Sequence, residues 1–537
     1  MGMSRQRFIA FFAVSAGMWI LLGVVNIFLA DLNQDEGWYL YAASDVAGGR
    51  MPYRDFVFTQ GPVMPAVYAL FRPLVSAHGI LAGRWCTFFL GGLALGLTGL
   101  LAGRLVPAGR RGTAALVAVM LAGINVYQSQ FTSIVKTYSL CSLLLVSGLL
   151  LLCLATRRHR PVVGVLAGVL LALAAATRLS AGIALPVVCL YLLFRPPERS
   201  ARAWLYAGLG GVLGLAMAFG PFLLTATEGL FFGLFEYHAG RSAGSLTTAL
   251  VYKAGFLSRM VQAYFVAAVL VVFLVVWRCC ASTTSPPAAG EIAPGSGLQP
   301  MLWLAALGIT AVHISAPFPY DDYQVIVYPI LCAALGGGVV TLLPSARIGI
   351  VVPVLCTALL LAAFSSPVNQ EWVLQERDRI WWRLKEQTPL RTLQEAGEWV
   401  RDRSGEGDEL LTQDVYLAVE SNRRVPPGFE MGPFCYFPEM STERAERLHL
   451  FNRDLLEEAL RESTAPVAAF SGYGLAIRSP GVEEMPAEER RRFMDLVEQG
   501  YVRKETIPHF GQASTELGLW ERKAGRVEGL ENGESSP

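Results

Sequence analysis

The feature that most constrains this chain is a series of long apolar runs within its first 365 residues. A helix needs about 20 mostly apolar residues to cross the hydrocarbon core of a bilayer. The runs therefore predict a polytopic α-helical membrane protein, with about 11 transmembrane helices over residues 1–365. The predicted spans lie at 8–30, 80–103, 112–126, 137–155, 161–176, 180–194, 203–224, 257–277, 300–316, 323–343 and 347–364.

The chain changes character after residue 365. Of its 43 Asp and Glu residues, 11 precede that position and the other 32 follow it. Apolar patterns in this acidic part predict a soluble α/β domain over residues 366–523, followed by a disordered tail at 524–537. Its predicted strands lie at 409–413, 466–470, 501–507 and 517–521, and its predicted helices at 390–403, 443–462 and 486–499.

The distribution of Lys and Arg predicts the orientation, because basic residues collect in cytoplasmic loops. A cytoplasmic N-terminus puts the arginine clusters at 5–7, 104–111, 157–160 and 195–202 on the inner side. The Ser/Pro/Gly-rich stretch 281–299 then becomes a cytoplasmic linker. With an odd number of spans in the inner (plasma) membrane, the C-terminal domain is predicted to be periplasmic or otherwise extracytoplasmic.

This orientation gathers carboxylates on the outer side. Nine of the 11 in the membrane half fall there, namely Asp31, Asp35, Glu36, Asp45, Asp55, Glu228, Glu236, Asp321 and Asp322. The rule for basic residues does not require this, and carboxylates beside apolar helices mark a candidate site. An alternative for Asp35 and Glu36 is a solvated helix start, because acidic residues suit a helix N-terminus.

The first outer loop, 31–79, combines that acidic pair with aromatic residues. Trp38, Tyr39 and Tyr41 would lie at the level of the lipid headgroups. Glycine and proline divide the rest of the loop into short pieces. We expect one or two interfacial helices here.

The order of these motifs resembles the GT-C superfamily, membrane glycosyltransferases that use lipid-phosphate sugars. The resemblance covers residues 1–365. It rests on Asp35-Glu36 after the first span, a Pro-containing segment at 60–68 that ends in an aromatic residue, and the later Tyr328-Pro329 span. The branches concerned are the protein O-mannosyltransferases of glycosyltransferase family 39, the aminoarabinose transferases and the bacterial lipopolysaccharide-core transferases. The resemblance implies a GT-C type membrane domain and transfer of a hexosyl or pentosyl group.

The resemblance also implies roles for individual residues. The acid of the first loop is the catalytic base in this family, which implies Asp35 as the base and Glu36 as its helper. The acceptor hydroxyl must lose a proton as it attacks, whereas a phosphate leaving group needs no general acid. Such a displacement inverts the anomeric centre.

A cation must face the departing phosphate, because the phosphate gains charge. The candidates on the outer side are Lys136, Arg178, Arg241, Lys253 and Arg259, of which the first three are preferred; Arg178 lies in a Thr-Arg turn similar to one common in the family. Snorkelling to headgroups is the alternative for Lys136 and Arg178. The candidate substrate-binding residues are Tyr39, Tyr320, Asp321 and Asp322, although relatives usually carry a basic residue where this chain has its Asp pair.

The implied partners are a polyprenyl-phosphate-linked sugar, a lipid, glycan or protein acceptor, and membrane lipids. The net charge of +1 indicates no nucleic-acid partner. No cofactor is predicted. Two carboxylates at 35–36 and two at 321–322 leave a divalent metal open, with solvated turns as the alternative.

A second hypothesis is a non-catalytic lipid-carrier binding protein or a transporter. A transporter predicts polar residues deep within several spans and paired half-repeats. The sequence shows few charges within its spans and no internal repeat, which favours the transferase.

Overall fold

The structure is a computed structural model that describes residues 4–158, 160–195, 201–239, 245–280, 296–365, 387–472, 475 and 485–523. Arg241, residues 281–295 of the predicted linker and the predicted tail 524–537 lie outside these ranges. The α-helices up to residue 365 are α1 (Arg5–Leu29), α2 (Gln34–Ala47), α3 (Val63–Tyr68), α4 (Arg72–Arg104), α5 (Arg111–Gly123), α6 (Val126–Phe131), α7 (Tyr138–Arg158), α8 (Pro161–Ala175), α9 (Ala184–Phe194), α10 (Ala203–Thr225), α11 (Thr227–Phe231), α12 (Tyr237–Ala239), α13 (Leu246–Ala263), α14 (Phe265–Cys280), α15 (Gln299–Ser315), α16 (Tyr328–Leu342) and α17 (Ser345–Ser365).

The apolar half is helical, as predicted. By length and composition, five of the described segments are able to cross a membrane alone: α1, α3 with α4, α7, α10 and α17. Helices α8, α15 and α16, and α9 with its preceding turn, are apolar but shorter. Large apolar side chains such as Leu213 and Leu224 are exposed on α10, which suits a lipid-facing surface. The count of 11 spans stays a prediction.

The run at 257–277 differs from the prediction of one continuous span. It is divided between α13 and α14, whose axes bend by 86° at the intervening residue. That residue, Tyr264, is buried, stacks on Tyr328 with ring centroids 4.0 Å apart and donates a hydrogen bond to Gln128. These contacts, rather than the apolar pattern, account for the bend.

The first outer loop, 31–79, contains α2, α3, a 3-10 helix at Ala69–Phe71 and the first turns of α4. The interfacial position expected for helices in this loop stays a prediction. The Asn33 side chain caps α2, and the Glu36 side chain accepts a hydrogen bond from the Asn33 amide in return. This reciprocal cap begins a helix at the acidic pair. The predicted preference of these acids for a helix N-terminus is therefore confirmed, and it leaves a functional role open for either residue.

A buried ion pair joins α1, α2 and α4. The Arg84 guanidinium donates to both carboxylate oxygens of Glu36, at 2.7 and 2.8 Å, and neither side chain has exposed surface. It also donates to the carbonyls of Ile27, Ala30 and Asp31 at the end of α1, where a helix leaves carbonyls without partners. One side chain thus satisfies a helix end and neutralises a buried carboxylate.

The C-terminal part forms a small α/β unit, as the sequence predicts. Its four strands have the order β1-β2-β4-β3, in which β1 and β2 are parallel and the other pairs are antiparallel. The elements are α18 (Pro389–Arg401), β1 (Leu410–Thr412), α19 (Val415–Ser421), α20 (Thr442–Leu448), α21 (Arg453–Glu462), β2 (Val467–Ser471), α22 (Ala487–Gly500), β3 (Tyr501–Phe510) and β4 (Thr515–Arg522).

Two features of this unit differ from the predictions. The segment 443–462 is two helices rather than one, because His449 takes a left-handed conformation with φ 56° that ends α20. Helix α19 was not predicted. All seven of its residues are buried, so its sequence has no polar face to reveal a helical period.

The C-terminal unit packs on the first outer loop. The apolar residues of α19 and of α2 belong to one continuous core. Glu228 beside α10 and Glu236 beside α12 also pair with Arg447 and Arg444 of α20. The C-terminal unit therefore lies on the same face as these loops, as the predicted topology requires. That this face is extracytoplasmic stays a prediction.

The ion pair between Glu36 and Arg84 makes a first prediction. Replacing Arg84 by Ala leaves a buried carboxylate without a cation, which destabilises a fold by roughly 3–5 kcal/mol. We expect Arg84→Ala to lower the unfolding temperature of the detergent-solubilised protein strongly. Arg54→Ala is the control, since Arg54 pairs with Asp55 at the surface and such pairs contribute little. Equal stability of the two variants would contradict the prediction.

Candidate active site

Three distant parts of the chain meet at one charged cluster. The Lys136 ammonium lies 3.2 Å from Asp35 Oδ2 and 3.1 Å from Asp322 Oδ2. Asp35 is in the first turn of α2, Lys136 is in the connection between α6 and α7, and Asp322 is in the 3-10 helix Asp321–Ile326. The structure therefore brings together three of the residues singled out in the sequence.

Asp35 is the most accessible member of this cluster. Its side chain is 29% exposed, compared with 10% for Lys136 and 14% for Asp322. The Trp38 indole donates a hydrogen bond of 3.2 Å to Asp35 Oδ1, while Lys136 faces Oδ2. The Asp35 carboxylate is thus held in place and accessible.

Asp322 anchors the opposite side of the lysine. The Tyr138 hydroxyl donates to Asp322 Oδ2 at 2.8 Å. Burial raises the pKa of this carboxyl, but Lys136 and Arg178 more than offset that effect, so the pKa lies below its usual range. Asp322 is therefore ionised, and its other oxygen, Oδ1, is buried without a hydrogen-bond partner.

Arg178 lies beside the cluster, and its guanidinium has only part of its hydrogen-bonding capacity satisfied. Its guanidinium stacks on the rings of Tyr138 and Tyr323, 4.8 and 4.3 Å from their centroids, and donates to Thr137 Oγ1 at 3.3 Å. Within the described ranges, no carboxylate lies at ion-pair distance from it. Its Nε is buried without a hydrogen-bond partner. The two rings thus orient the guanidinium, while its Nε–H has no acceptor.

A buried histidine connects the two segments on which these groups lie. His313 is hydrogen-bonded to Ser180 through Nε2, at 2.9 Å, and to Gln324 through Nδ1, at 3.1 Å. Ser180 follows Arg178 by two residues, and Gln324 follows Asp322 by two. This bridge holds the arginine turn against the 3-10 helix.

The predicted substrate-binding residues lie at different depths. Tyr39 is buried; burial raises the pKa of its hydroxyl and Asp35 adds to that effect, while Arg178 and Lys136 oppose it. The tyrosine therefore belongs to the same electrostatic cluster. Tyr320 is half exposed, and its ring lies edge-on to that of Tyr323, so it stands at the rim.

Asp321 and Asp322 face different partners. Asp321 accepts a hydrogen bond from Tyr127 at 2.8 Å and pairs with Arg259 at 3.1 Å. Successive side chains of a 3-10 helix point about 120° apart, which separates the two carboxylates. Asp321 therefore belongs to a second charged pair beside the main cluster.

The open alternative of a four-carboxylate metal site is not supported by this arrangement. Three cations pair with the four carboxylates: Lys136 with both Asp35 and Asp322, Arg84 with Glu36, and Arg259 with Asp321. Over the described part of the chain, no three His, Cys, Asp or Glu side chains are grouped so that they could hold a metal ion.

Three residues of the site were missed in the sequence. Tyr138 and Tyr323, which hold Arg178, cannot be distinguished in the sequence from other aromatic residues near the ends of spans. Arg84 had a usable signal, because it is a charged residue inside the predicted span 80–103. Such charges are costly and mark functional positions.

Comparison with solved structures identifies the architecture. The apo structure of ArnT from Cupriavidus metallidurans aligns with a TM-score of 0.59 over 95% of this chain and 97% of that one, at 14% identity. The structure of the same protein bound to undecaprenyl phosphate aligns with a TM-score of 0.57, over 96% and 98%, at 12% identity. The chain has the GT-C fold. The fold implied by the resemblance is thereby confirmed.

The assignment of the GT-C fold rests on structural similarity alone. No protein-family model matches the sequence, and no curated protein matches it. The Archaeoglobus fulgidus oligosaccharyltransferase tethered to an acceptor peptide aligns with a TM-score of 0.46 over 92% of this chain and 73% of that one, at 11% identity, a score too low for further argument. Identities of this order show a fold, so function must be argued from the site.

The lowered pKa of Asp322 makes a second prediction. An unfolded Asp has a pKa of about 3.9, and the folded-state value lies below it. The carboxylate therefore contributes stability above the unfolded value, and this contribution is lost as the pH falls through the folded one. We expect Asp322→Asn to lower the unfolding temperature by a constant amount above about pH 5, and by less below about pH 4. Thermal unfolding of both proteins from pH 3 to 7 measures this, and a difference that widens on acidification would contradict it.

Proposed function

We propose that this protein is a membrane glycosyltransferase that moves a sugar from a polyprenyl-phosphate donor to an acceptor hydroxyl outside the cytoplasm. The observation that carries the proposal is the cluster itself. An accessible carboxylate, Asp35, shares one site with the cations Lys136 and Arg178, on the face where the C-terminal unit lies. A base and a phosphate-binding group are the two functions that this reaction needs. The GT-C fold and the undecaprenyl phosphate bound to ArnT support the same class of donor.

Asp35 acts as the general base in this proposal. The acceptor hydroxyl gives its proton to the Asp35 carboxylate while its oxygen forms the new bond to the anomeric carbon. The bond between that carbon and the phosphate oxygen breaks, and the phosphate leaves with the electron pair. Attack from the side opposite the phosphate inverts the anomeric centre. Trp38 and Lys136 hold the carboxylate in place for this step.

Arg178 and Lys136 receive the phosphate. Arg178 has an unsatisfied buried Nε and is already oriented by two rings, so binding an anion there requires little ordering of its side chain. Lys136 adds a second positive charge, and Asp322 fixes its position. Arg241 remains the proposed third cation. Tyr39 and Tyr320 are proposed to line the sugar between the two groups.

Glu36 takes a different role from the helper base implied by the resemblance. Its oxygens accept hydrogen bonds from Arg84, Asn33 and Val135, and its side chain is fully buried. A carboxylate enclosed in this way is suited to positioning rather than to proton transfer. Because Val135 precedes Lys136, the same carboxylate sets the positions of Asp35 and of Lys136.

The third prediction tests the base. Asp35→Asn keeps the size of the side chain and removes its basicity, so turnover should fall by about 100-fold or more. The measurement is release of undecaprenyl phosphate from undecaprenyl-phosphate hexoses, pentoses and aminosugars, with a cell-envelope extract as acceptor. Asp55→Asn is the matched control, because Asp55 is 28% exposed, nearly the same as Asp35, and pairs with Arg54 in the same loop.

The outcomes separate the competing functions. Turnover near the wild-type rate in Asp35→Asn would remove Asp35 as the base. Binding of undecaprenyl phosphate by the wild-type protein, with no turnover of any donor in the panel, would favour the lipid-carrier binding protein.

The fourth prediction concerns the phosphate. A hydrogen bond to a charged group contributes about 1.5–3 kcal/mol, so Arg178→Gln should raise the Kd for undecaprenyl phosphate by about tenfold or more. The Kd is obtained from the rise in unfolding temperature as the lipid is added. Arg391→Gln is the control, since Arg391 pairs with Glu395 on the surface of the C-terminal unit. An unchanged Kd in both Arg178→Gln and Lys136→Gln would rule out this phosphate site.

A further inference from the structure

Helix α19 of the C-terminal unit packs between the two helices that position the candidate base. It packs against α2, which bears Asp35, and against α4, which bears Arg84. The approach to α2 is close enough that a Cβ atom on Gly37 would lie 2.3 Å from the Tyr416 amide nitrogen. The hydroxyl of Tyr416 also accepts a hydrogen bond from the Gln34 side chain. Gln34 and Gly37 flank the acidic pair on α2.

The contact with α4 occurs where that helix is broken. Gly79 has φ 54° and ψ −139°, which interrupts the helix one residue before Ile80. The Glu420 side chain reaches this break from α19, and its Oε2 accepts a hydrogen bond of 2.9 Å from the Ile80 amide. A Cβ atom on Gly79 would lie 2.0 Å from the same oxygen. A carboxylate of the C-terminal unit therefore caps the longer segment of a membrane helix.

Glu420 is itself held firmly. Its side chain is buried, its carbonyl accepts a hydrogen bond from Arg401, and a Cβ atom on Gly397 would lie 3.0 Å from its Cγ. Burial raises the pKa of its carboxyl, while the Ile80 amide, Arg401 and Arg84 lower it. Arg84 lies one helical turn beyond Ile80, so the cap and the ion pair with Glu36 are adjacent on α4.

We propose that Glu420 is a positioning residue for catalysis, which fixes α4 through the Ile80 amide and thereby sets Arg84, Glu36 and the Asp35 carboxylate. This inference rests on the proposed function, because it assumes that Asp35 is the base. The C-terminal unit is then part of the machinery that aligns the base, in addition to covering the outer face. A displacement of about 1 Å at a reacting group is enough to reduce a rate by about 100-fold.

The test compares three substitutions of Glu420. Glu420→Ala removes the cap, and Glu420→Asp withdraws the carboxylate by one methylene, so both should lower kcat by about 10- to 100-fold. Glu420→Gln keeps an acceptor oxygen at the same distance from the backbone and should retain most of the wild-type kcat. The Kd for undecaprenyl phosphate should stay within about twofold of wild type in all three, because loss of alignment affects turnover rather than donor binding.

A second measurement does not depend on activity. Hydrogen exchange followed by mass spectrometry should show faster exchange of amides in 34–41 and 80–86 in Glu420→Ala and Glu420→Asp. Arg447→Ala is the matched control, because Arg447 joins the C-terminal unit to the Glu228 side chain instead of to α2 or α4. Its kcat and its exchange at these peptides should equal those of wild type.

Each outcome decides the proposal. Wild-type kcat in Glu420→Asp would overturn it, even if Glu420→Ala fails to fold. Faster exchange with unchanged kcat would also overturn it, because Glu420 would then only attach the C-terminal unit. If Asp35→Asn is inactive and Glu420→Asp is fully active, the proposed function stands and this inference fails. If Asp35→Asn is fully active, Asp35 is not the base, and this inference fails with that assignment whatever the exchange measurement shows.

Discussion

The arrangement of this site depends on one buried ion pair, between Glu36 and Arg84. Burying two charges is costly unless geometry and hydrogen bonding are nearly complete. Here Arg84 donates to both oxygens of the carboxylate and to three carbonyls at the end of α1. The pair therefore locks three helices in one relative position. Removing either partner would leave the other charge unneutralised at a fully buried position, so the arrangement admits little adjustment.

The same pair explains how a carboxylate and an ammonium group from distant segments come to face each other. Asp35 precedes Glu36 in the chain, and Lys136 follows Val135, whose amide donates to Glu36. A single carboxylate thus fixes the backbone on both sides of the contact between Asp35 and Lys136. On the far side, Asp322 and Tyr138 fix the lysine in turn. Glu36 and Asp322 hold the segments in position, so Asp35 is not needed for that purpose and stays accessible.

The sequence was informative where a single local rule decides the structure. Long apolar runs indicated the helices of the first 365 residues, and short apolar segments indicated the buried strands of the C-terminal unit. Asp35, Lys136 and Asp322 were singled out because charged residues next to apolar spans are unusual. The structure shows that they converge, which no local pattern could predict.

The features that the sequence did not reveal arise from tertiary contacts. The bend at Tyr264 follows from packing on Tyr328, although the apolar run continues through it. Helix α19 is buried on every side, so it lacks the period that identifies a surface helix. The resemblance implied that Glu36 helps the base, and nothing in the sequence pointed to its partner Arg84, 48 residues away, on which the proposed positioning role rests.

The packing of α2 against the C-terminal unit has a consequence for biosynthesis. The Gln34 amide donates to Gln512, which lies 478 residues later in the chain, and the Ile80 amide donates to Glu420, 340 residues later. A nascent chain that is still threading its helices into the bilayer contains neither acceptor. Asp35 and Lys136 are translated early, but the packing around them is completed only when nearly the whole polypeptide has been synthesised and has reached one face of the membrane.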